Sequence, residues 1–98
     1  MDVEFDDEQL ERLEADETCT TGVPTGMAGR FRRCMQIIRS AVDERDFFAL
    51  RSLNFEKLKG KRQHQYSMRL NEQWRLILEL RGKGPAKKVA VIAVEDYH

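Results

Sequence analysis

The chain reads as an α+β protein, with an N-terminal strand and two helices packed on a mostly antiparallel, twisted sheet in the order β-α-α-β-β-β. Three observations predict this. Two period-two stretches and one continuous apolar run crowd the C-terminal half, at 66–70, 74–80 and 89–94, with turn residues between them. A three-to-four-residue apolar repeat occupies 31–42, the signature of an amphipathic helix. A short strand pattern and a helix start precede it. With 98 residues, the chain is expected to form a single small domain, 1–98, with a modest core.

Each element has a local reason. Val3 and Phe5 alternate with acids, as in a short edge strand. Asp6 followed by Gln9 resembles a capping box, and Leu10 and Leu13 then repeat at helical spacing. Thr18 to Gly26 is a loop by composition. Phe31, Cys34 or Met35, Ile38, and Ala41 or Val42 mark the inner face of the second helix. Arg32, Arg33 and Arg39 lie off that stripe and read as a solvated face. Asp43-Glu44-Arg45-Asp46 is a polar break, after which Phe47, Phe48, Leu50 and Leu53 lead into Lys57-Leu58-Lys59-Gly60-Lys61-Arg62. Gly60 permits a tight turn there. Tyr66, Met68 and Leu70 share one strand face, opposite Ser67, Arg69 and Asn71. After an Asn71-Glu72 turn, Trp74, Leu76, Leu78 and Leu80 point inward, with Gln73, Arg75, Ile77 and Glu79 on the other side. Gly82 to Pro85 turns the chain into Val89-Ala90-Val91-Ile92-Ala93-Val94, a buried strand followed by Glu95-Asp96-Tyr97-His98.

Composition narrows the function classes. No apolar stretch reaches the roughly 18 residues of a membrane span. The acidic start does not resemble a secretory signal, so a cytoplasmic setting is expected. Cys19 and Cys34 lack metal-ligand spacing and are expected as reduced thiols, with a single disulfide as the unsupported alternative. The net charge of zero is unevenly spread. Residues 1–17 carry nine acids and one base, leaving a balance of +8 for the remainder. That pattern suits a polyanion-binding face beside an acidic flank, or two solvated faces that offset each other.

The basic loop, with Arg69 and Arg75 on the open sheet face, has the cation density that a phosphate backbone demands. Tyr66, Trp74 or Tyr97 offers a ring for base stacking, although the register of Trp74 favours the core. Cleavage of RNA by its own 2′-hydroxyl needs a base, a phosphate-stabilising cation and an acid. Glu56, Arg75 and His98 are the candidates for these roles. A guanidinium presents paired donors to phosphate oxygens, and imidazole titrates near neutrality. Neither a metal nor another cofactor is required. Taken singly, Glu56 reads rather as a surface carboxylate, Arg75 as a structural ion pair and His98 as a chain end, and only their combination points to this chemistry.

The combination Leu58-Lys59-Gly60, Ser67-Met68-Arg69-Leu70-Asn71-Glu72-Gln73-Trp74-Arg75-Leu76 and terminal Glu95-Asp96-Tyr97-His98 resembles HigB-type toxins. These are the "plasmid maintenance system killer" members of the RelE/ParE superfamily. The resemblance is specific over 56–98 and looser before it. It implies the toxin of a bacterial type II toxin–antitoxin system, a metal-independent endoribonuclease that cuts messenger RNA in the ribosomal A site. It also implies a HigA-type helix-turn-helix antitoxin partner, with operator DNA engaged only through that antitoxin, and no membrane role. Carried over by motif, the catalytic set is Glu56, Lys59, Arg75, Asp96, Tyr97 and His98. Lys57, Lys61, Arg62, His64, Arg69 and Asn71 are candidate RNA contacts. Glu56 departs from the histidine of some HigB toxins but matches the glutamate base of YoeB-type toxins. Two rival readings are a non-nuclease toxin of the same fold, binding a protein such as gyrase as ParE does, and an RNA-binding module without catalysis.

Overall fold

The computed structural model describes residues 1–96; Tyr97 and His98 lie outside the described residues. One five-stranded sheet carries the fold, built from β1 (Asp2–Phe5), β2 (Glu56–Lys57), β3 (Gln65–Arg69), β4 (Trp74–Arg81) and β5 (Lys88–Asp96). The strand order is β1-β5-β4-β3-β2. β1 runs parallel to β5, and the other pairings are antiparallel. Helices α1 (Glu8–Ala15), α2 (Ala28–Ser40) and α3 (Arg45–Ala49) supply the α component.

The α+β class and the order of the expected elements hold, and the chain adds two short ones. α3 is only five residues long, too short for a helical period to register. The acids of the polar break build the turn into it: Asp46 accepts from the Val42 N–H (2.8 Å) and Asp43 from the Arg45 N–H (2.9 Å). α3 buries Phe47, whose ring meets Phe55 edge-on at 5.2 Å. β2 has two exposed residues, so no apolar alternation could announce it. It exists because it pairs with β3, placing Glu56 opposite Ser67 and Lys57 opposite Tyr66.

The start of α1 is displaced by one residue from the expected capping box. The cap is Asp7, whose Oδ1 accepts from the N–H groups of Gln9 (2.8 Å) and Leu10 (3.2 Å). Glu8 and Glu11 sit in the first turn, where the helix dipole favours acids. Leu10 and Leu13 face the core, as do Phe31, Cys34, Met35 and Ile38 of α2. Of the paired alternatives at the end of α2, Ala41 is buried and Val42 is exposed.

The arginines of α2 are not a uniformly solvated face. Arg32 donates to the carbonyls of Leu13 (2.9 Å), Asp16 (2.9 Å) and Cys19, satisfying carbonyls where α1 ends and the following loop begins. Arg39 makes a two-toothed ion pair with Glu14, both bonds 2.6 Å. These arginines bolt α2 to α1, and part of the acidic flank is thereby neutralised within the fold.

The core lies between the helices and one sheet face, where Met68, Leu76, Leu78, Val89 and Val91 are fully enclosed. The 89–94 run is buried as far as Val91 and then becomes partly accessible. The register skips Ile92, so β5 bulges opposite the Ile77–Leu78 step. A bulge bends and twists its strand, and here it re-aims the end carrying Glu95 and Asp96. Among the described residues, no helix is long and apolar enough to cross a membrane.

Candidate active site

The second sheet face is partly covered by the chain between β2 and β3. The Leu58 N–H donates to the Gln65 carbonyl (2.9 Å), closing a hairpin, and Gly60 turns it with φ +69. The short 3₁₀ turn Gly60–Arg62 then lies across the sheet. Arg62 is its strap. Both terminal nitrogens of Arg62 engage the Glu95 carboxylate at 2.8 and 2.9 Å, while Nε donates to Gln65 at 2.9 Å.

Beneath the strap lies a cavity of about 140 Å³, lined by Leu58, Arg62, Ser67, Arg75, Ile77, Glu95 and Asp96. Arg75 is the buried cation of this cavity, with 6% of its surface exposed. Its Nη1 donates to the Asn54 carbonyl at 3.3 Å. With the Asn54 amide oxygen turned toward the guanidinium, that oxygen accepts from Nη2 at 3.0 Å as well. Asn54 reaches this position because it ends a 3₁₀ turn in the left-handed conformation, φ 45, which asparagine tolerates better than most residues.

The register places the remaining groups. Directly opposed residues share a sheet face, so Glu56, Ser67 and Ile77 form one row and Arg69, Arg75 and Glu95 the next. Glu56 and Arg75 are two strands and one row apart, about 10 Å across the sheet, with both side chains on the same face. Asp96 lines the cavity and accepts from Gln73 Nε2 at 3.2 Å. Lys59 is exposed at the start of the loop, with Lys61 and Arg62 in its turn and Lys57 on β2.

Other sequence candidates are deployed differently. Arg69 lines a separate groove with Arg30 and Arg33 of α2, and its Nη2 lies 3.9 Å from Glu72. Asn71 turns its oxygen to the N–H groups of Gln73 (2.8 Å) and Trp74 (2.7 Å), so it shapes the β3–β4 turn. His64 Nε2 lies 3.7 Å from Glu79 on the exposed side of β4. Tyr66 stacks flat on Phe55 at 5.0 Å, which occupies one ring face. Trp74 is half-buried against the core. Two of the expected catalytic residues, Tyr97 and His98, are outside the described residues.

Asn54 and Ser67 escaped the sequence reading. Asparagine before an aromatic residue carries no motif, and Ser67 looked like the polar half of an alternating strand. Both matter because they face Arg75 or its cavity. Among the described residues no group of three or more His, Cys, Asp or Glu is arranged to hold a metal.

At the other end of the same face, Arg81 binds Glu4 (2.8 Å), Asp6 (2.8 Å) and Glu79 (3.0 Å). Arg81 hydrogen bonds hold the carboxyl of Asp6 below its ordinary value, and Lys88 followed by Arg81 does the same for Glu4. Partial burial opposes ionisation of Glu79, but bonds from Gln65 and Arg81 outweigh it and lower its pKa. This network ties β1 to β4.

The fold that carries this cleft is similar to those of solved toxin structures. A YoeB/ParE toxin from Agrobacterium tumefaciens superposes with a TM-score of 0.61 at 15% identity, over 100% of both chains. YafQ from E. coli strain BL21(DE3) gives 0.60 at 11% identity, over 97% of this chain and 91% of that one. The YoeB–YefM complex from Staphylococcus aureus gives 0.60 at 16% identity, over 100% and 97%. No curated protein matches the sequence. The family model described as "RelE-like toxin of type II toxin-antitoxin system HigB" matches residues 3–98, and the chain belongs to that family of toxins.

Proposed function

We propose that this toxin is a ribosome-dependent messenger RNA endoribonuclease that works without a metal. The observation that carries the reading is the buried Arg75 guanidinium lining a small cleft on the face that also presents Glu56. Oxygens of Asn54 help to fix that guanidinium in place, and a guanidinium presents paired donors to phosphate oxygens. Glu56 takes the proton of the 2′-hydroxyl as its oxygen attacks phosphorus. Arg75 and Lys59 stabilise the crowded phosphate. The bond from phosphorus to the 5′-oxygen breaks, and His98 protonates that oxygen. Asp96 and Tyr97 orient the acid and the substrate. The products are a 2′,3′-cyclic phosphate and a 5′-hydroxyl.

Lys57, Lys61 and Arg62, on β2 and the turn that follows it, provide contacts to the RNA backbone, with His64 and Arg69 farther from the cleft as additional contacts. Such a toxin acts in the bacterial cytoplasm as a single domain and is held in check by a HigA-type helix-turn-helix antitoxin. The neighbour from S. aureus, solved as a complex with YefM, supports an antitoxin partner. The direct test is cleavage of message on purified ribosomes by the wild type and by His98→Ala. The expected result is cutting that drops by about 10²–10⁴-fold in the variant. Undiminished cutting removes His98 from the mechanism. Inhibited DNA supercoiling with intact message would favour the gyrase-type reading, and ribosome binding with intact message the non-catalytic one.

A further inference from the structure

Ser67 is 1% exposed, lines the cleft beneath the Arg62 strap, and its hydroxyl has no hydrogen-bond partner among the described residues. A buried hydroxyl left without a partner is destabilising, and most folds avoid one. Its position gives a reason to keep it. Ser67 stands directly across from Glu56 on one side and Ile77 on the other. Arg75 is its diagonal neighbour on β4. Directly opposed Cβ atoms lie about 5 Å apart and diagonal ones about 7–8 Å, so Ser67 is closer to Glu56 and to Arg75 than those two are to each other. Whatever spans from the carboxylate to the guanidinium passes over this hydroxyl. A cavity of about 140 Å³ exceeds the roughly 30 Å³ share of a single water and leaves room for a phosphate-sized group.

We propose that Ser67 is a further substrate-contacting residue, its hydroxyl donating to a non-bridging oxygen of the phosphate that Arg75 clamps. The inference rests on the nuclease reading above and deepens it at the same site. The serine side chain is short and placed on β3, a strand paired on both sides, so it offers a donor already aimed before substrate arrives. Because the hydroxyl gains its bond when charge builds on phosphate, its removal should slow the chemical step more than it weakens binding.

The test compares the wild type, Ser67→Ala and Ser67→Thr in single-turnover cleavage of ribosome-bound message, with thermal unfolding measured on each protein. Ser67→Ala should cut roughly 10- to 100-fold more slowly at saturating ribosomes, with a melting temperature equal to or above the wild type. Ser67→Thr keeps the donor and should recover most of the rate. Wild-type cutting by Ser67→Ala overturns the proposal. So does a joint loss of rate and melting temperature that threonine does not repair, because that marks a structural hydroxyl. If the wild type leaves message intact, the nuclease reading itself has failed. The hydroxyl is then judged by inorganic phosphate at constant ionic strength. Stabilisation of the wild type but not of Ser67→Ala supports the site, and equal stabilisation of both overturns it.

Discussion

Replacing Glu95 by Gln should make this toxin bind RNA more tightly. Glu95 holds both terminal nitrogens of Arg62, so a phosphate approaching the strap must first displace a carboxylate. The two side chains are 45% and 39% exposed, which places the pair among solvated ion pairs of about 0.2–1 kcal/mol. Glu95 also stands directly opposite Arg75. A phosphate on Arg75 would sit roughly 6 Å from that carboxylate. In high dielectric their repulsion is about 0.7 kcal/mol, and screening at physiological salt roughly halves it. Together the two effects give about 0.5–1.3 kcal/mol, or a 2- to 10-fold gain in affinity. The assay is fluorescence anisotropy with a short RNA carrying a single 2′-deoxy substitution, which blocks cleavage. The gain should shrink at high salt. Equal or weaker binding by a folded Glu95→Gln protein would refute the idea that the strap competes with substrate.

Three further outcomes follow from the geometry. Glu4, Asp6 and Glu79 have lowered folded-state pKa values, so their contribution is present above their unfolded values and is lost as pH falls through the folded ones; Arg81→Met should therefore flatten the acid limb of a stability–pH curve below about pH 4.5, and an unchanged limb would count against the network. Arg32→Ala removes donors to three carbonyls at the α1–loop junction and should cost about 1–3 kcal/mol in urea unfolding, where a change under 0.5 kcal/mol would deny it that role. Burial pushes the Cys34 thiol up to about 11, while a Thr21 bond lowers that of Cys19; mass spectrometry of the native protein with a thiol alkylator at neutral pH should find Cys19 modified first, and faster labelling of Cys34 would contradict its burial.

How legible the molecule was depends on element length. β3 and β4 were readable because alternation persists over five or more residues, and β5 because Val89 to Val94 is a continuous apolar run. α2 was readable because Phe31, Met35 and Ile38 repeat at helical spacing. α3 and β2 are too short for any period, and both are held by partners distant in sequence: Phe55 for Phe47, and β3 for Glu56. The same limit applied to the site. Arg75 could be singled out from its motif, but not that Asn54 grips it or that Glu95 and Arg62 close over it. Those contacts join residues 21 and 33 positions apart, and no local pattern encodes them. Arg69 was drawn to the same face by strand parity, yet it lines the groove beside α2. Strand parity fixes where a side chain leaves the sheet, not where a long one ends.

The central claim is that Arg75 clamps a phosphate attacked by its own neighbouring 2′-hydroxyl. It is tested most directly by ribosomes programmed with a message bearing one 2′-deoxy nucleotide at the cut site, alongside the all-ribose message and the Arg75→Ala protein. The account predicts cutting of the all-ribose message by the wild type, with 2′,3′-cyclic phosphate ends. It predicts no cutting at the 2′-deoxy site and a loss of about 10²–10³-fold or more with Arg75→Ala. Cleavage at the deoxy position, or full activity without the arginine, would contradict it.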